Sequence, residues 1–548
     1  MNNFLLENTT YQIYPISFKD SNDDGIGDIN GIISKLDYLN DLGVKTIWLS
    51  PIYASPMYDM GYDISDYYSI NPKFGTMEDF NRLLLECKKR DMKVIMDLVV
   101  NHTSIQHKWF QEALKDKKSK YRDYYIFKEG KGKNKKLPPN NWQSSFLGSA
   151  WSELEDEKGM YFLHLFTDKQ PDLNWHNEEV IKEVINIMNF YLDKGVFGFR
   201  CDVISCIYKE SLEDGYKRKL GDPIGQEHYI STAGCHSILK RLRKEAIEPH
   251  NGVLIGELYG VKSNDIQPFL EDELDTFFSF DHVTINQNKV RGEYVSAKRF
   301  KYELIKWQLS NESNGMYLEN HDQRRSINKF IKEGYEDVGS KMLLTLIYTL
   351  KGYPFIYQGE EIGSKNYPIH EFKIEDSNDI VTKQVYTLAR SFYLPKFICE
   401  KIARHNGRDD SRAPMSFSSK EGYGFASKDI KPWQKFNSLN SIINVESQIN
   451  DKNSTLNFTK QIIKFRKDNK VLSYGDISFI DTQAKVLAFY RSLEDSKLLV
   501  LLNLNYKIEK INKDLKKHIV KENILLNNIS SINQDYLYPY QAIIIKIN

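Results

Sequence analysis

The chain alternates between two hydrophobic textures. Short apolar runs with the look of buried strands stand at residues 12–15, 46–50, 93–100, 197–202, 253–257, 276–280, 315–319 and 353–357. Amphipathic stretches lie between most of them. Ile29, Ile32, Ile33, Leu36, Leu39 and Leu42 recur at helical spacing, and Gly43 fits a helix stop. Thr76-Met-Glu-Asp79 reads as a capping box with Asp in the acidic role, ahead of Phe80, Leu83, Leu84 and Cys87 on one face. A further helical pattern covers 180–192. Repeated strand-then-helix units predict an α/β chain closed into a parallel (β/α)8 TIM barrel.

The alternation breaks twice. Residues 103–172 are rich in Lys, Tyr, Trp and Pro and carry a basic loop at 131–136. They read as a small domain inserted after the third strand, the lysines as a solvated loop. From 475 onward, runs at 486–490, 498–502 and 542–547 are separated by polar turns with little helical pattern. This predicts a C-terminal antiparallel β-sandwich at 475–548. The barrel then occupies 1–102 and 173–474.

Composition narrows the class. A chain of 548 residues is too long for one compact core. A net charge of +1 gives no reason to expect a nucleic acid or an anionic membrane as partner. The longest apolar stretches, such as 342–350, are too short to span a bilayer, and residues 1–7 lack a signal-peptide pattern. Five scattered cysteines, Cys87, Cys201, Cys206, Cys235 and Cys399, read as reduced thiols of a cytoplasmic protein.

Gly198-Phe199-Arg200-Cys201-Asp202 sets two charges on one face of a strand, where Arg200 would hold Asp202 ionised. Alone, this reads first as a structural ion pair. In a parallel barrel, however, chemistry sits at the carboxyl ends of the strands. Four predicted ends carry acids or their partners: Asp97 with Asn101 and His102, Arg200 with Asp202, Glu257, and Asn320-His321-Asp322. With no zinc spacing and no Gly-rich phosphate loop, paired carboxylates point to glycoside cleavage. Asp202 fits the attacking group. Glu257, flanked by Ile255, Gly256 and Leu258, fits the proton donor, because apolar surroundings disfavour its charged form. Asp322 would hold sugar hydroxyls and keep the Glu protonated by repulsion, and His102 and His321 would donate to the sugar. Retention requires about 5–5.5 Å between the two carboxyl groups, and that separation is predicted for Asp202 and Glu257.

These segments resemble the α-amylase family of glycoside hydrolases. DLVVNH (97–102), GFRCD (198–202), IGE (255–257) and ENHD (319–322) match its four main motifs in order. QPDLNW (170–175) resembles an extra motif of the oligo-1,6-glucosidase subfamily, and residues 11–28 and 352–361 resemble its first and last strands. The resemblance covers essentially the whole chain. It implies a retaining double displacement with Asp202 as nucleophile, Glu257 as acid/base and Asp322 as transition-state stabiliser. It further implies that Asp63, Tyr62, His102, Arg200, His321 and Arg408 line the pocket for the non-reducing glucose, with Asp63 and Arg408 closing it as an ion pair. Tyr14 borders that pocket or belongs to the core. Val203, after the nucleophile, goes in this subfamily with α-1,6 linkages, so short isomalto-oligosaccharides are the expected substrates of a monomer or weak homo-oligomer.

Asp20-Ser-Asn22-Asp-Asp24-Gly-Ile26-Gly-Asp28 spaces hard oxygen donors as a calcium loop opens, although Gly31 stands where a bidentate Glu would close it. The resemblance implies one structural Ca²⁺, or Mg²⁺, on Asp20, Asn22, Asp24, the Ile26 carbonyl and Asp28; an acidic turn without metal is the alternative. Arg324-Arg325 and Met415-Ser416-Phe417 depart from the subfamily pattern, and both are expected near the aglycone side. Two arginines there would suit a phosphate, which keeps trehalose-6-phosphate hydrolysis as the second reading. A broad or sucrose-active α-glucosidase with transglycosylation is a third. Non-enzymatic transporter-subunit relatives have lost acids that this chain retains.

Overall fold

The computed structural model describes residues 2–216, 222–285, 295–428 and 430–547. Eight parallel strands, β1 (Thr9–Ile13), β2 (Val44–Leu49), β3 (Lys93–Leu98), β4 (Gly198–Cys201), β5 (Val253–Glu257), β6 (Thr276–Phe278), β7 (Gly315–Met316) and β8 (Tyr353–Tyr357), hydrogen-bond in the order β6-β5-β4-β3-β2-β1-β8-β7. A parallel bridge from Phe277 to Asn314 closes the ring between β6 and β7. Trp48, Ile95, Ile255, Phe278 and Phe355 pack inside it. Gly198 belongs where the sequence puts it, because a Cβ there would meet the Val253 carbonyl oxygen at 2.1 Å.

Two boundaries differ from the sequence reading. β1 starts and ends earlier than expected, since Pro15 lacks an N–H and instead opens a 3-10 turn, Pro15–Ser17. β7 pairs over only two residues; Tyr317 and Leu318 are buried without a ladder.

Register decides where the acids emerge. Asp97 lies level with Arg200 across β3 and β4, and Ile255 lies level with Arg200 across β4 and β5. Asp97, Arg200 with Asp202, and Glu257 therefore leave three adjacent strands at one end. Outside the barrel, helix α1 (Met77–Lys89) begins with both bonds of the Thr76–Asp79 capping box, and α2 (Glu178–Asp193) buries Val180, Val184, Ile187, Met188 and Tyr191 at helical spacing.

Between β3 and β4 the chain builds a three-stranded antiparallel sheet from Phe127–Glu129, Trp151–Glu153 and Met160–Leu163, with its own core of Trp142, Trp151, Tyr161 and Leu163. After β8, helices α3 (Ile380–Ser391) and α4 (Lys396–Asn406) form a hairpin beside the mouth of the barrel. The C-terminal sheet has five antiparallel strands, and alternation sorts its faces. Leu487, Phe489, Val500 and Ile544 join the main core, whereas Val486, Ala488, Leu501 and Ile543 face Ile511, Leu515 and Leu537. That second layer is thin, a two-stranded ribbon (Glu509–Lys510 with Tyr536–Leu537) and a helical turn. Among the described residues no helix is long and apolar enough to cross a membrane.

Candidate active site

Arg200 is the centre of the first charged cluster. It is 1 % exposed and touches three carboxylates: Asp202 through Nη1 at 2.7 Å, Glu257 through Nη2 at 2.6 Å and Asp97 through Nη1 at 3.2 Å. Asp202 and Glu257 thus sit on different nitrogens of one planar fork, side by side. Trp48 Nε1 and the Tyr62 hydroxyl donate to Asp97 at 3.0 and 2.8 Å. Burial pushes the Asp97 carboxyl up to about 6, against the pull of Arg200. Burial also pushes Asp202 well up; Arg200 opposes this, and Glu257 and Asp97 reinforce it. One cation shared among three carboxylates leaves Asp202 short of compensating charge, so burial prevails there. The sequence reading had Asp202 ionised and Glu257 kept neutral by apolar neighbours. The geometry corrects that reason. Ile255 and Glu257 share the inward face of β5, so Ile255 fills the barrel core while Glu257, at the strand's end, meets Arg200 and the Val203 N–H, the latter at 3.0 Å. Val203 reaches it from a left-handed conformation, φ 38° and ψ 38°, which costs a β-branched residue about 1–3 kcal/mol.

A second cluster surrounds Arg408 and Arg412. Arg408 contacts Asp59 at 2.8 Å, Asp322 at 3.2 Å and Asp379 at 2.7 Å, and Arg412 contacts Asp322 at 2.9 Å. Burial opposes ionisation of Asp322, yet His321, Arg408, Arg412 and Arg200 outweigh it and hold the carboxyl well below the usual range. Asp379 is held low in the same way, chiefly by Arg408 and Arg412 against burial. Asp322 is therefore a fixed anion facing the pair on Arg200.

Two neutral histidines complete the wall. His321 lies between the rings of Tyr62 (5.1 Å, 4°) and Tyr14 (5.7 Å, 16°), and burial lowers it to about 3. Its Nε2, 3.2 Å from Asp322 Oδ2, is not aligned with that oxygen and has no hydrogen-bond partner. It is a buried donor without an acceptor, set behind Tyr62 and Asp322, which line the cavity themselves. Lys209 fixes the state of His102. Its buried ammonium, 2.6 Å from Asp172, donates to Asn101 Oδ1 at 2.8 Å. The Asn101 amide nitrogen must then face His102 Nδ1, at 3.1 Å, so the imidazole proton resides on Nε2 and donates to the Tyr62 carbonyl at 3.0 Å. Burial keeps His102 neutral, with Asp172 opposing.

These groups open into a cavity of about 690 Å³, lined by Tyr62, His102, Asp202, Val203, Glu257, Asp322 and Arg408. The segment between β3 and β4 contributes Phe146, Phe166 and Gln170, and the α3–α4 hairpin contributes Val381 and Asn406. "Alpha amylase, catalytic domain" is the family description that matches residues 12–475. The chain belongs to the α-amylase family of glycoside hydrolases. An oligo-1,6-glucosidase from Bacillus cereus is 40 % identical, over 99 % of both chains. A trehalose-6-phosphate hydrolase from Bacillus subtilis (strain 168) is 37 % identical over 98 % of this chain and 97 % of its own. Among solved structures, an isomaltulose synthase mutant from Erwinia rhapontici NX5, in complex with sucrose, superposes with a TM-score of 0.93 at 34 % identity over the whole of both chains.

In this glycoside hydrolase several expected residues take other places. Asp63 neither lines the cavity nor meets Arg408. It is 0 % exposed and accepts from Ser55 Oγ and from the N–H groups of Tyr58 and Asp59, holding the turn that presents Asp59. Asp59 is the acid on Arg408. Tyr14 stays behind His321 as a buried stacking ring. Arg324 binds Asp410, and Arg325, 3 % exposed, binds Glu319 and the Gln358 carbonyl, so neither lines the cavity. Met415 and Phe417 are buried, Phe417 packing on Phe18 and Tyr38, and neither lines the cavity. Asp59, Asp379, Arg412 and Lys209 were not singled out from the sequence. Asp379 alone carried a local signal, as an N-cap acid whose carboxylate accepts from Val381 and Thr382.

The Asp20–Asp28 loop is a tight turn. Asp20 accepts from the N–H groups of Asn22, Asp23 and Gly25, and Asp24 from that of Ile26. Asp28 caps the next helix through Gly31 N and also takes Ser21. Among the described residues no three His, Cys, Asp or Glu side chains are already gathered as a metal cluster. The donors at Asp20, Asn22 and Asp24 are all hard oxygens, the type calcium takes.

Proposed function

We propose that this enzyme is a retaining, exo-acting α-glucosidase that cleaves α-1,6 linkages at the non-reducing ends of short isomalto-oligosaccharides. The observation that carries this is the seating of Asp202 and Glu257 on the two Nη nitrogens of Arg200, at the wall of a pocket closed by the Asp59–Arg408 pair. Asp202 attacks the anomeric carbon as the glycosidic bond breaks, and Glu257 gives its proton to the departing oxygen. Glu257 then takes a proton from water, which displaces Asp202 and releases glucose. Asp322 stays ionised throughout beside the developing positive charge. Neutral His102 holds sugar hydroxyls.

Trehalose-6-phosphate as substrate loses its proposed carriers, since Arg324 and Arg325 are engaged elsewhere. The half-exposed and exposed charges of the cavity among the described residues are Asp222, Asp281, Glu303, Asp322 and Arg299, which offer a phosphate no cationic surplus. Initial rates on isomaltose, maltose, sucrose, panose and trehalose-6-phosphate test the reading. Isomaltose should lead, and Val203→Thr should gain maltose activity; a strong wild-type preference for maltose or the phosphate ends it.

The loop at Asp20, Asn22, Asp24, Ile26 and Asp28 is proposed to take one structural Ca²⁺ or Mg²⁺, supported by its all-oxygen donor set. A chelator should then lower Tm, and an unchanged Tm argues for a plain acidic turn. A cytoplasmic monomer or weak homo-oligomer is the proposed working form. Five free cysteines, all buried, support a reducing compartment.

A further inference from the structure

Glu257 gives its proton to the departing oxygen, so the aglycone sugar lies on its side of the cavity. Glu257 is level with Phe278 across β5 and β6. The chain just beyond β6 therefore walls the aglycone, and it lines the cavity with Phe280, Asp281, Thr284 and Ile285. Gln323, the residue after Asp322, lines the same cavity from beyond β7.

One half-buried cation joins these two walls. Lys329 Nζ donates to the Val283 carbonyl at 2.7 Å and to Gln323 Oε1 at 3.0 Å. Both acceptors are neutral oxygens, so the contact is not a salt bridge. Such an ammonium is costly to keep: burial lowers it to about 7, with Arg324 adding and Glu319 opposing. Below that pH the group is charged and can only donate. The Gln323 carbonyl oxygen must then face it. Gln323 is itself part of the cavity lining, so the amide NH₂, turned away from Lys329, is what it presents there. The orientation of this amide is thus set by a residue that does not line the cavity.

We infer that Lys329 is a positioning residue that fixes the Gln323 amide with its NH₂ toward the aglycone, so that the pair selects an aglycone with a hydroxyl oxygen at that point. A site built to donate to a hydroxyl discriminates against a leaving group that lacks one. The inference rests on the α-glucosidase reading and adds the residues that choose the leaving sugar. It is tested by kcat/KM at pH 6 on isomaltose and on α-glucosyl fluoride, whose leaving group carries no sugar. Lys329→Met should lower the isomaltose value about tenfold, the loss of one hydrogen bond to substrate, and leave the fluoride value nearly unchanged. Lys329→Arg, still an obligatory donor, should restore isomaltose. Gln323→Met tests the same contact without touching Lys329 and should give the same split, and Lys329→Met added to it should cost nothing more. Equal losses on both substrates, no loss on isomaltose, no rescue by arginine, or additive losses in the double variant would each overturn the inference. A wild type that prefers another disaccharide overturns the substrate reading instead; the same ratio, taken on that disaccharide, still decides the role of Lys329.

Discussion

The active site holds two clusters built from the same parts with opposite outcomes. Around Arg200, three carboxylates (Asp97, Asp202, Glu257) share one guanidinium. Around Arg408 and Arg412, three carboxylates (Asp59, Asp322, Asp379) share two. Burial works against ionisation in both. With one cation it prevails, and Asp97 and Asp202 are pushed up; with two it is overcome, and Asp322 and Asp379 are held low. The number of arginines per acid, not the acids themselves, separates the cluster that can give a proton from the cluster that cannot.

The largest effect should come from removing the proposed acid/base group from the first cluster. Glu257→Gln should lower kcat on isomaltose by about 10²–10⁴-fold. It should do far less on an aryl glucoside whose leaving group needs no proton, and steady-state rates on both substrates check this. Arg412→Met gives the second cluster the cation deficit of the first. Leaving buried carboxylates short of a partner should destabilise the fold by about 3–5 kcal/mol, read by denaturant unfolding, and Asp322 should then titrate upward as a new limb in the pH–rate profile.

Asp59 and Asp63 sharpen the comparison further, because only one belongs to a cluster. Asp59→Asn should lower kcat/KM about tenfold through the lost charge-assisted bond to Arg408, whereas Asp63→Asn should leave KM near wild type. The smallest effect is in stability. Burial pushes Asp63 up to about 7, with the Asp59 charge adding and three donors opposing. A carboxyl raised in the folded state loses its stabilising contribution as pH rises through that value. The Tm of Asp63→Asn relative to wild type should therefore increase from pH 6 to pH 8, by thermal melts at each pH.

Much of this was legible in the chain. Short apolar runs set between helically spaced stretches located every barrel strand, and β5 and β8 match to the residue, because apolar burial on both faces leaves an unbroken signature. The acids at strand ends followed from topology. What escaped was pairing across long separations. Nothing local shows that Arg408 will choose Asp59 over Asp63, four residues apart in one loop, since that choice depends on which carboxylate the turn consumes. The environment of Glu257 was misread from its apolar chain neighbours, because the strand's inward face ends on Arg200 while Leu258 packs in a separate cluster. Arg324 and Arg325 looked alike in sequence, yet one is buried on Glu319 and the other borders a different cavity.

Whether the Arg200 cluster, where burial raises Asp97 and Asp202, holds a proton at rest is best settled by infrared difference spectra of the carboxyl C=O stretch at neutral pH. Wild type minus Glu257→Gln, and wild type minus Asp202→Asn, should each show a protonated-carboxyl band lost, because only two carboxylates, one of them Asp97, then share Arg200. Wild type minus Asp322→Asn should show only a carboxylate lost. A protonated band that disappears with Asp322, or none that depends on Asp202 and Glu257, would contradict the account.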